Sequence, residues 1–100
     1  MMMAPLRGPD PGRLLAAALL ARLPVETRLS AQDGIPWASA TFVGTRHRLR
    51  LSCPDTESAM RFTTTVSDAE FALRGHLLAD IAARMEGDDL LIDALTLVLA

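Results

Sequence analysis

The C-terminal quarter, HLLADIAARMEGDDLLIDALTLVLA from His76 to Ala100, constrains the fold more than any other stretch. Read at period two, it is two β-runs joined by Glu86-Gly87-Asp88-Asp89, a cluster with the chemistry of a hairpin turn. In the first arm Leu77, Ala79, Ile81, Ala83 and Met85 share one face, while His76, Asp80 and Arg84 take the other. The second arm, residues 90–99, is apolar on both faces apart from Asp93 and Thr96. A strand without a wet face belongs in the centre of a sheet or at an interface.

The rest of the chain supplies partners for that hairpin. Residues 1–9 hold two prolines, a glycine and no periodicity, and read as a flexible arm before a single domain over 10–100. Asp10-Pro11 has the form of an N-cap followed by proline at the first helical position. The helix it opens runs to about Leu23, where Pro24 stops it, with Leu15, Leu19 and Leu23 stacked on one side. Residues 25–31 alternate as a strand, Gln32-Asp33-Gly34 reads as a turn, and residues 37–45 as a second strand. Gly44-Thr45 reads as another turn. A third strand follows, with Arg46, Arg48 and Arg50 on one face and His47, Leu49, Leu51 and Cys53 on the other.

Asp55 or Thr56 then caps a second helix reaching about Val66, although Thr63-Thr64-Thr65 is poor helix material. Residues 69–74 alternate again, and the hairpin closes the chain. The order is therefore helix, three strands, helix, three strands. The two halves, 10–53 and 54–100, superimpose at a spacing of about 44 residues, with Glu26 on Glu70 and Leu29 on Leu73. The expected fold is α+β: a two-layer sandwich with two helices on one face of a mostly antiparallel six-stranded sheet, built from a duplicated α-β-β-β unit.

Composition narrows the chemistry. All ten basic residues are arginine, and Lys, Asn and Tyr are absent, the mark of a GC-rich, bacterial genome. There is accordingly no lysine for a Schiff base or a phosphate loop. The one cysteine, Cys53, excludes an internal disulfide and reads as a small buried hydrophobe. No run of about twenty apolar residues crosses a membrane. LLAAALLA at 14–21 makes a poor leader, because Asp10 precedes it and Arg22 follows it. The expected location is cytoplasmic. No nucleophile elbow, glycine-rich phosphate loop or metal-binding helix motif is present, so the chain reads as non-enzymatic, with no cofactor and no metal.

Three binding readings remain. The first is a homodimeric protein-interaction module. The first helix has few charges, and the last strand has two apolar faces, so Leu15, Leu19, Leu91, Leu95, Leu97 and Leu99 are candidate interface residues. The second is a nucleic-acid or anionic-ligand face made by Arg46, Arg48 and Arg50, with Trp37 available to stack. Charge weighs against it. Residues 1–50 carry a net +4 and residues 51–100 a net −6, so Asp80, Glu86, Asp88, Asp89 and Asp93 are available to face the arginines within the sheet or across subunits. The third is a carrier holding a small apolar ligand under Trp37, Met60 and Met85.

Overall fold

In a computed structural model, which describes residues 10–99, the chain is an α+β fold of two helices and one four-stranded antiparallel sheet. The expected arm at 1–9 lies outside the described residues. Helix α1 spans Pro11–Leu20; Asp10 caps it by accepting a hydrogen bond from the Gly12 amide at 3.2 Å. It ends before Leu23 because Pro24 keeps its predecessor out of helical geometry. The last amides, of Arg22 and Leu23, bond three residues back to Leu19 and Leu20 and tighten the end into a turn.

Strands β1 (Arg28–Ala38) and β2 (Val43–Ser52) form one long hairpin where three strands were expected. Gln32-Asp33-Gly34 and Gly44-Thr45 are not turns but mid-strand residues. Gly34 lies over the side chain of Thr45, and a Cβ there would sit 3.1 Å from its methyl. Gly44 is closer still to its neighbour, since a Cβ would collide with the Thr96 carbonyl. Both glycines mark close approach, the other meaning glycine has in a strand. Pro36 is tolerated because β1 is an edge strand. The real turn is Ser39–Phe42, where the Ser39 hydroxyl accepts from the Phe42 amide at 3.1 Å.

Helix α2, Thr56–Thr65, is capped by Asp55, which accepts from both the amide and the hydroxyl of Ser58. These bonds hold the Asp55 carboxyl below its ordinary pKa. The threonine run is helical nonetheless, its hydroxyls donating back to carbonyls in the preceding turn, Thr63 to Met60 at 2.6 Å and Thr64 to Arg61 at 2.8 Å. A short 3-10 turn, Val66–Asp68, follows.

Residues 69–74, expected as a strand, make only an isolated bridge from Leu73 to His76, with Gly75 in the left-handed region at φ 77°. This segment is tied to the end of α1 instead. The Arg22 guanidinium lies 4.3 Å over the Phe71 ring and donates to the Glu70 carbonyl. The closing hairpin is β3 (His76–Glu86) and β4 (Asp89–Val98), turned at Gly87 with φ 61°. Glycine is the residue that reaches this conformation without strain.

The sheet order is β1-β2-β4-β3. It has four strands, not six, and no α-β-β-β unit repeats. The counterparts proposed from spacing do not correspond, since Leu29 is a residue of β1 while Leu73 lies outside the named strands. Both helices pack on one face of the sheet. Leu15, Leu19, Phe62 and Val66 meet Leu49, Leu51, Ile81, Leu90, Ile92 and Ala94 in a closed core. The last strand, β4, is central, as its two apolar faces require.

Candidate interaction surface

Residues directly opposite each other in adjacent strands share a face, so the register maps the sheet. Against the helices lie Thr45, His47, Leu49 and Leu51 of β2 with Thr96, Ala94, Ile92 and Leu90 of β4. His47 is buried, and its Nε2 is 2.8 Å from the Thr96 hydroxyl. Burial lowers its pKa, against a smaller opposing pull from Asp10. Cys53 is buried too, its thiol donating to the Asp55 carbonyl.

The other face carries no helix. It is built in rows across all four strands. Trp37, Gly44, Leu97 and Leu77 make one row; Ile35, Arg46, Leu95 and Asp80 make the next. Then come Asp33, Arg48, Asp93 and Ala82, followed by Ala31, Arg50, Leu91 and Arg84. The face is thus apolar at one end and charged at the other.

Two bulges produce this pattern. The β1–β2 register shifts between Leu29 and Ala31, and the β3–β4 register between Leu78 and Asp80. Simple alternation put Leu77 and Ile81 on one face. The bulge instead sends Leu77 to the bare face, half exposed, while Leu78 and Ile81 turn to the core. It also separates His76 from Asp80, which alternation had placed together.

The arginine strand lies beside the acids. Arg48 Nε is 3.2 Å from Asp93, and Arg50 reaches Glu86 at 2.6 Å and Asp89 at 2.7 Å. Arg84 approaches the other oxygen of Asp93 at 3.8 Å. Hydrogen bonds to Glu86 and Asp89 push the Arg50 pKa up. Among the described residues, Arg46 and Asp80 make no ion pair. Trp37 stands two residues along the sheet from Arg46, half-buried in the neighbouring row.

The candidate interface leucines divide. Leu15 and Leu19 are fully buried beneath the sheet, so the first helix presents neither to a partner. Leu91, Leu95 and Leu97 do lie on the bare face but are at most 9% exposed. Leu91 lies between Arg50 and Arg84 and Leu95 between Arg46 and Asp80, and the arginine stems can lie over leucine while their charged heads stay in water. Leu97 lies between Gly44 and Leu77 with its side chain against the glycine. Leu99 is half exposed. Exposed apolar surface gathers at one end of the sheet, where Ile35, Leu77 and Leu99 are joined by Phe42, Val43 and Val98 of the adjoining turn and strand end. The last three, with Leu99, line a cleft of about 360 Å3. Sequence reasoning missed Ile35, Phe42 and Leu77. The first two fell in segments read as turn and strand interior, and the third depended on a bulge.

Trp37, Met60 and Met85 do not meet: Trp37 is on the bare face, Met60 is exposed on α2, and Met85 packs against the core. A larger open cleft of about 910 Å3 lies elsewhere, between Leu14 of α1 and residues 69–78. No three His, Cys, Asp or Glu side chains among the described residues come together to hold a metal ion, and no described helix is long and apolar enough to cross a membrane. Comparison of the chain with models of known protein families, with curated proteins and with solved structures found no match.

Proposed function

We propose that the chain is a small non-enzymatic interaction module that self-associates as a homodimer through the apolar end of its bare sheet face. The observation behind this reading is the exposure of Ile35 and Leu77 on the bare face beside a half-buried Trp37, at the end of the sheet where Phe42, Val43, Val98 and Leu99 are also exposed. Exposed apolar surface gathered at one site marks contact regions in monomeric folds. The anionic-ligand reading has less support on the same face, because Arg48 and Arg50 are engaged by carboxylates. Sedimentation velocity at tens of micromolar tests the proposal. A dimer that dissociates when Ile35 and Leu77 are both changed to Ser is the expected result; a monomer counts against it.

A second reading has one observation in its favour. The 910 Å3 cleft, lined by Leu14, Phe71, Leu73, Leu77 and Leu78, is of a size that takes a small apolar molecule. Saturable one-to-one binding of a fluorescent fatty-acid analogue, lost on Phe71→Asp, would support a carrier. Its absence removes that reading.

A further inference from the structure

We infer that the bare sheet face pairs with the same face of a second copy, about a two-fold axis that runs parallel to the strands between β2 and β4. This mode rests on the homodimer reading and adds to it a geometry and a pair of specificity residues.

Charge distribution selects the axis. On the bare face, β1 and β2 present four arginines, Arg28 among them, against one acid, Asp33. On the same face β4 and β3 present four acids against one arginine, Arg84. A two-fold parallel to the strands lays the basic half of one copy over the acidic half of the other, on both sides of the axis at once. It also keeps each row over its own counterpart, so the apolar row meets the apolar row. A two-fold across the strands would instead set the apolar end on the charged end, leaving ionic groups against hydrocarbon.

Shape agrees. In this arrangement Trp37 covers the partner's Leu77. Arg46 lies over the partner's Leu95, next to the partner's Asp80. Arg46 and Asp80 are charges in the contact region that make no ion pair within the chain among the described residues. Each would gain its counter-ion from the other copy, twice over by symmetry. Four strands about 4.8 Å apart, each rising about 3.3 Å per residue over ten residues, give a flat footprint of roughly 600 Å2. The accessible area of a corrugated surface exceeds its footprint, so the face approaches the roughly 800 Å2 per partner of a standard stable interface.

A charge exchange in trans tests this. Arg46→Asp and Asp80→Arg each create two like-charge contacts in their own homodimer, and each should raise the dimer dissociation constant at least about tenfold. In an equimolar mixture of the two variants every such contact is again an opposite-charge pair, so dimers should reappear as heterodimers by sedimentation and native mass spectrometry. Unchanged far-UV circular dichroism of the single variants separates lost association from lost folding. If the wild type is a dimer and neither variant weakens it, or if both weaken it and the mixture stays monomeric, Arg46 and Asp80 do not pair across the axis and this geometry falls, while dimerisation through the apolar end of the face still stands. A monomeric wild type overturns both.

Discussion

Strands β1 and β4 have nearly the same length and opposite fates. β4 lies between two neighbours and is buried on both faces from Leu90 to Leu97, Asp93 apart. β1 lies at the edge, and of its eleven residues only Trp37 is even half-buried. Composition separates them less than position does. β1 carries Leu29, Ile35 and Trp37, yet gains little cover, because one of its sides has no neighbour and α1 reaches it mainly at Gln32, which donates to the Gly12 carbonyl. Stability in this fold therefore belongs to β4, and surface for contact belongs to β1 and the sheet end beside it.

The sharpest way to break that contrast is to remove the same kind of atoms from each strand. Ile92→Ala, at a fully buried position of β4, should cost about 2–5 kcal/mol in urea unfolding. Ile35→Ala, on exposed β1, should fall within about 0.5 kcal/mol of wild type in the dissociated chain, measured at nanomolar concentration. Similar losses at both sites there would show that the edge is already covered within one chain. A second pair uses the glycines. Gly44→Ala forces a methyl into the Thr96 carbonyl of β4 and should cost about 1–3 kcal/mol, as overpacking does. Gly34→Ala, on the edge strand, presses closely on the Thr45 methyl alone, with His47 at ordinary contact distance, and should stay within about 1 kcal/mol.

Much of this contrast was legible in the sequence. The hairpin around Glu86–Asp89, the centrality of the final strand, both N-caps and the opposition of Arg46, Arg48 and Arg50 to His47, Leu49 and Leu51 all follow from local pattern. What was not legible has one physical origin. Turn residues and strand residues overlap when a strand needs a gap instead of a bend. Gly34 and Gly44 were read as punctuation, whereas both are mid-strand and provide close approach. Likewise the bulge after Leu78 is invisible to alternation, yet it moves Leu77 to the bare face and so completes the apolar end. The leucines chosen for an interface, Leu91, Leu95 and Leu97, lie on the bare face but are already buried among the side chains of adjacent strands. Cross-strand cover requires the strand order, which periodicity within one strand does not contain.

The join between β2 and β4 makes a pH test. His47 has its pKa lowered by burial, so below the unfolded-state value of about 6.5 the unfolded chain binds more protons than the folded one. The contribution of His47 is complete above that pH and is lost as pH falls toward the folded-state value. Unfolding free energy should drop by up to about 1.4 kcal/mol per pH unit in that window. His47→Gln should flatten the slope. A slope unchanged in the variant would assign the pH dependence to other groups. The smallest effect belongs to the surface ion pairs of the same join. Arg48→Ala, at an exposed pair with Asp93, should cost less than about 1 kcal/mol and still less in high salt.

Trp37 offers the most direct test of the claim that a second copy covers the bare face, since it is the only tryptophan and lies in the row where the two copies would meet. Its emission should be followed while the protein is diluted from tens of micromolar to the nanomolar range. A concentration-dependent shift to longer wavelength is expected as the indole loses its cover, with the same midpoint as dissociation seen by sedimentation. Emission that stays constant across the whole range, at the wavelength of a half-exposed indole, would contradict it.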